Sequence, residues 1–269
     1  MSTNSDDHPV LSAIARPPDR TEVTGPEQTD VYDVWEPAAD RSDRPERRLT
    51  LALVHGGFWR PAYDRAHLAP LAAALADDGF HVANLEYPRI GMPGGGFPGT
   101  LTAVGRQVAA LADDPRLPER VLAVGHSAGG HLALWLASQR PSPEGSLPHN
   151  LEGVVALAPA ADLAEVDRLF LSKNAARALL GSAPDEEPDA WEAADPGRHA
   201  LITPAVVVSA TDDDLVPPSV TTAYKASRRP DEKVTFADVR GGHFDLIDPT
   251  HEAYLTLLAH LEQFQLDLR

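Results

Sequence analysis

Short apolar runs alternate with longer stretches whose apolar residues recur every three or four positions, and this alternation persists along most of the chain. The short runs are DVYDVWEP (30–37), LTLALVH (49–55), FHVANLEYP (80–88), RVLAVGH (120–126), LEGVVALAP (151–159), AVVVSAT (205–211) and KVTFADVR (233–240). Several are apolar throughout, as strands buried on both faces are. The stretches with helical spacing are HLAPLAAALADDGF (67–80), LTAVGRQVAALADD (101–114), AGGHLALWLASQ (128–139), PPSVTTAYKASR (217–228) and THEAYLTLLAHLEQF (250–264). Strand followed by helix, repeated, predicts an α/β fold: a mostly parallel central sheet with helices on both faces.

Two regions break the series. Residues 1–28 are rich in Pro, Asp, Ser and Thr without sustained periodicity and read as a flexible N-terminal arm. Residues 29–269 then form one domain, interrupted at 160–203 by a segment too long for an ordinary crossover. It contains LAEVDRLFLSKNAARALLG (163–181) and an acidic, proline-broken continuation, and is expected to be a short helical insert acting as lid or pocket wall.

Composition narrows the partners. A chain of 269 residues buries a core without staples, and with no cysteine it has neither disulfides nor a thiol nucleophile. The formal charge of −17 argues against nucleic acid and anionic membrane. No basic-then-apolar leader and no run of about 20 apolar residues is readable, so the default expectation is a cytoplasmic protein. Oligomeric state is not legible.

The chemistry concentrates at turns. Gly125-His126-Ser127-Ala128-Gly129 matches G-x-S-x-G where a predicted strand meets a predicted helix. A serine hydroxyl needs a histidine to take its proton and a carboxylate to orient that histidine. Both follow in chain order at strand ends: Asp212-Asp213-Asp214 after 205–211, and His243 behind two glycines after 233–240. Any of the three aspartates could be the acid; Asp214 could instead cap the helix near Pro217, and Asp212 could close the turn. Strand 49–55 runs into Gly56-Gly57-Phe58-Trp59, where glycines let backbone N–H groups approach a substrate. The oxyanion hole is accordingly expected from the backbone amides of Gly57, Phe58 and Ala128, with Phe58 and Trp59 lining the substrate pocket. His55, His126 and His131 lack metal-site spacing, and GMPGGGFPGTL (91–101) lacks a phosphate-loop ending, reading instead as a flexible loop at the pocket rim. No cofactor and no metal is expected.

HGGFW (55–59), GHSAGG (125–130), DDDLVP (212–217) and GGHFDLIDP (241–249) together resemble the α/β-hydrolase superfamily, nearest its HGG-type esterases and arylformamidases (kynurenine formamidases). In that superfamily the acid commonly stands four residues before the proline of a D-x-x-V-P element, which implies Asp213; the same matching implies Ser127 as nucleophile and His243 as base. Phe58 replaces the last glycine of the HGGG found in relatives of hormone-sensitive lipase, so lipase specificity is not implied. The expectation is a serine hydrolase acting on a small-molecule acyl substrate through an acyl-enzyme. A carboxylesterase leads, a formamidase is the near alternative, and a non-catalytic ligand-binding protein on the hydrolase fold is the alternative from another class.

Overall fold

The structure is a computed structural model and describes residues 8–37, 47–140 and 148–267. Eight strands form one sheet in the order β1-β2-β4-β3-β5-β6-β7-β8: β1 (Arg20–Val23), β2 (Val31–Trp35), β3 (Leu49–Val54), β4 (His81–Leu85), β5 (Arg120–His126), β6 (Leu151–Leu157), β7 (Ala205–Ala210) and β8 (Val234–Val239). The pairs β1/β2 and β2/β4 are antiparallel and every later pair is parallel.

Each central strand feeds both faces. In β3, Leu49, Leu51 and Leu53 pack under α1 (Ala69–Asp77) and α8 (Ala253–Asp267). Ala52 and Val54 point the other way, into the layer of α2 (Gly99–Ala110) and α3 (Ala128–Ala137). A strand has a side-chain period of two, so covering both faces requires apolar residues at every position. The segment 160–203 forms three short helices, α4 (Leu163–Arg168), α5 (Ala175–Leu180) and α6 (Pro188–Ala194), packed over the α2/α3 face; α7 (Pro218–Ala226) follows β7. Among the described residues no helix is long and apolar enough to cross a membrane.

The expected flexible arm over 1–28 is corrected from residue 8 onward. Val10 is 3% exposed in the core beneath α1 and α8, and β1 pairs antiparallel with β2 across four residues. One buried valine and a short, polar edge strand, Arg-Thr-Glu-Val, hold this segment, and neither leaves a periodic signal. Residues 1–7 lie outside the described residues. The glycine-rich stretch 91–99 also differs from a rim loop. It is tied to α5 by the Phe97 N–H donating to the Leu179 carbonyl at 2.8 Å, and none of its residues borders the cavity described next.

Candidate active site

β5 ends against α3 in a turn of one residue, Ser127, whose φ of 57° and ψ of −117° lie where non-glycine residues rarely sit. The chain passes so tightly here that side chains are excluded around it. A Cβ at Gly125 would overlap the Gly129 carbonyl, and one at Gly129 would overlap the Val54 carbonyl. The strained turn presents Ser127 to a cavity of about 500 Å³ at the carboxyl ends of the strands, bordered also by Gly57, Phe58, Asp214 and His243.

Of the three aspartates, Asp213 is the one turned inward. Its Oδ2 lies 2.7 Å from His243 Nδ1, while its Oδ1 accepts the Leu215 and Val216 N–H groups at 2.9 and 2.8 Å. Asp212 and Asp214 are exposed, and α7 begins behind Pro217 without a side-chain cap, so Asp214 does not serve the helix. The carboxylate accepts from His243 Nδ1–H, which leaves Nε2 as the ring's basic nitrogen.

The loop carrying His243 is held from two sides that the sequence did not mark. Asp245 Oδ2 accepts the Gly242 N–H at 2.7 Å, and its Oδ1 lies 3.0 Å from His8 Nε2, so the N-terminal segment clips this loop. Burial would push the Asp245 carboxyl up, but the Gly242 N–H and His8 outweigh it and hold the group below its usual range. From below, His126 Nε2–H donates to the His243 carbonyl at 3.1 Å, the two rings 4.5 Å apart. Burial, with His243 and His67 nearby, keeps His126 far below the ordinary histidine range and therefore neutral.

Opposite the elbow, Gly57, Phe58 and Trp59 all have positive φ (104°, 50° and 58°). A Cβ at Gly56 would stand 2.9 Å from Ser127 Cβ, which is why glycine is needed where this loop meets the elbow. Ala128 occupies the first position of α3, where its N–H has no intrahelical acceptor. Gly57 and Phe58 border the cavity with Ser127, and Ala128 follows Ser127 in the chain. Trp59 does not line the pocket: it is fully buried in the α2/α3 core, edge-on to His131 at 5.1 Å, because two successive left-handed residues turn it inward.

His131, pushed by burial to about 4, donates its Nε2–H to the Ala194 carbonyl 2.9 Å away and is a packed helix residue. The insert supplies one wall of the cavity through Phe170, Leu171 and Ser172, tied to the loop after β3 by Arg60 Nη2 donating to the Ser172 carbonyl at 2.7 Å. His67, not foreseen, also borders the cavity, and burial pushes it down to about 4. Among the described residues no group of three or more histidines and carboxylates could hold a metal ion.

This sheet order, with a strained serine after its fifth strand and an Asp–His pair after its last two, defines an α/β-hydrolase fold. More particularly, the chain belongs to the family described as BD-FAE, whose model matches residues 33–227. A truncated carbohydrate esterase from gut microbiota superposes with TM-score 0.71 at 17% identity, over 93% of this chain and 99% of that one. Esterase B of Lactobacillus rhamnosis gives 0.72 at 20%, over 95% and 89%. The esterase Est2 of Thermogutta terrifontis, also seen phosphonylated by sarin, gives 0.67 at 18%, over 93% and 94%. No curated protein matches in sequence. Neither the family nor these neighbours support the arylformamidase alternative.

Proposed function

We propose that this protein is a serine carboxylesterase that cleaves esters of small, neutral acyl groups. His243 Nε2 takes the proton of the Ser127 hydroxyl as the oxygen attacks the ester carbonyl; Asp213 holds the ring's tautomer and stabilises its cation. The oxyanion forms against the N–H groups of Gly57, Phe58 and Ala128, and collapses to an acyl-enzyme as the alcohol leaves with the proton from His243. Water, deprotonated by the same nitrogen, releases the acid and restores Ser127. The observation that carries the reading is the buried 2.7 Å contact between Asp213 and His243 beside the strained serine. That these structural neighbours are esterases, one of them phosphonylated by sarin, agrees with it. The cavity of about 500 Å³ favours compact substrates. No step calls for a cofactor.

The test compares rates on p-nitrophenyl acetate, longer acyl esters and N-formylkynurenine, together with fluorophosphonate labelling. A stoichiometric adduct on Ser127 and fastest turnover of the short esters are expected. Absence of an adduct in folded protein would sink the reading, and preference for the formyl amide would replace the ester with an amide substrate.

A further inference from the structure

His55 closes β3 immediately before the oxyanion loop and is completely buried. Both ring nitrogens face oxygens: Nδ1 lies 2.9 Å from the Gly56 carbonyl and Nε2 lies 2.9 Å from Glu86 Oε1. A carbonyl only accepts, and so does an ionised carboxylate. The polar groups around Glu86 favour its ionisation: its Oε1 accepts the Tyr87 N–H at 3.0 Å and its Oε2 the Arg65 N–H at 3.3 Å, with the Arg65 and Arg89 guanidiniums at 3.6 and 3.8 Å. Burial pushes this carboxyl up, but the His55 contact and then the Tyr87 N–H and Arg89 outweigh it and bring it to about 2.

We infer that Glu86 holds His55 as a buried, doubly protonated imidazolium whose Nδ1–H pins the Gly56 carbonyl and so aims the Gly57 N–H at the oxyanion. The link is the planarity of the peptide. In a trans peptide the C=O and the following N–H point in opposite directions, so fixing the Gly56 carbonyl on the His55 side turns the Gly57 N–H away from it, toward the cavity. A ring with a bare Nδ1 would set a lone pair against the Gly56 carbonyl and release that peptide. Tyr87 completes the clamp: its ring stacks on the imidazole at 4.1 Å and its hydroxyl donates to the His55 carbonyl at 2.8 Å. His67 also faces the ring, edge-on at 5.8 Å, and burial pushes it down to about 4, so it adds no competing cation. His55 and Glu86 are positioning residues, acting on the reaction only through the Gly57 amide.

The inference rests on the esterase reading for its kinetic consequence and is independent of it for its protonation state. In nitrogen-15 spectra of histidine-labelled protein at mildly alkaline pH, both His55 ring nitrogens should show protonated shifts, and Glu86→Gln should restore a singly protonated ring. Losing an aimed oxyanion donor costs about 10²- to 10³-fold in kcat, so His55→Phe, which keeps the stacking on Tyr87, should lower kcat on p-nitrophenyl acetate by that order with KM little changed. Glu86→Gln should fall in between, its melt still cooperative but lowered, because Arg65 and Arg89 lose a charged partner. A singly protonated His55 in the wild type would overturn the inference even if the enzyme is an esterase. So would folded Glu86→Gln and His55→Phe proteins whose kcat stays within about threefold of wild type. If the wild type hydrolyses no ester, the functional reading fails while the spectra still decide the protonation.

Discussion

Asp213→Asn tests the site where geometry separates three adjacent candidates. The carboxylate accepts three hydrogen bonds, two from backbone N–H groups at Oδ1 and one from His243 at Oδ2. An asparagine that keeps its carbonyl oxygen on Leu215 and Val216 places its NH₂ against His243 Nδ1, at the position of the present 2.7 Å contact. Two donors cannot share that contact, so the ring shifts its proton to Nε2 and loses the lone pair that would accept the serine proton. A wrong-tautomer histidine of this kind costs about 10⁴-fold in kcat, or ~5.5 kcal/mol of barrier, with KM nearly unchanged. Because both backbone bonds survive, the fold should lose only about 1–3 kcal/mol. Asp212→Asn and Asp214→Asn, at exposed positions, should keep kcat within about threefold. Steady-state hydrolysis of p-nitrophenyl acetate, alongside thermal melts, decides the matter. An Asp213→Asn protein within about tenfold of wild type, or an Asp212→Asn protein as inactive as Asp213→Asn, would refute the assignment.

Four further substitutions probe packing and charge. Gly129→Ala puts a methyl group into the Val54 carbonyl and 2.5 Å from that of His55, both backbone, so the strand-to-helix junction must move; a loss of at least about 1–3 kcal/mol in urea unfolding is expected, and an unchanged midpoint would contradict the close approach. Burial, and then Asp162, push the Asp195 carboxyl up to about 7, above an unfolded value near ~3.9. The folded state therefore binds the extra proton between those values, and stability falls as pH rises through that window. Asp195→Asn, which keeps an acceptor for the Gly197 N–H now at 2.8 Å, should raise Tm above neutral pH and flatten its decline; a parallel pH dependence would refute this. Trp59→Ala should cost about 3–5 kcal/mol as a core deletion, whereas Phe58→Ala should cost about 1 kcal/mol or less and shift the preference between short and long acyl esters. Melts and an acyl-chain series distinguish them, and equal stability losses would place both in the core.

The seven strands from 30 to 240 were legible because burial on both faces leaves β3, β5, β6 and β7 mostly apolar, with few polar residues such as Thr50, Glu152 and Ser209 among them. The positions of Ser127, His243 and the glycine loop after β3 were legible for a related reason. Sharp turns and close backbone approaches demand glycine, and Gly125, Gly129, Gly56 and Gly57 announce them locally. β1 was missed because a four-residue polar edge strand is stabilised by its partner β2 rather than by its own composition. Trp59 was misplaced for a conformational reason: following strand alternation past Gly57 points it at the pocket, but the positive φ of Phe58 and Trp59 breaks that alternation.

What stayed hidden are the carboxylates that set the histidines. The chain carries 40 acidic residues, most of them on a solvated surface, so an acid is informative only once its burial and partners are known. Glu86 is 3% exposed and meets His55 across 31 positions of sequence; Asp245 receives His8 across 237. Neither follows a glycine pair or a motif spacing that would single it out. Yet removing a buried carboxylate leaves the groups it served unpaired in a low-dielectric interior, where that loss is large. The glycine motifs therefore locate the reacting atoms. The buried acids Asp213 and Glu86 face the ring nitrogens of His243 and His55, and so bear on what those atoms are able to do.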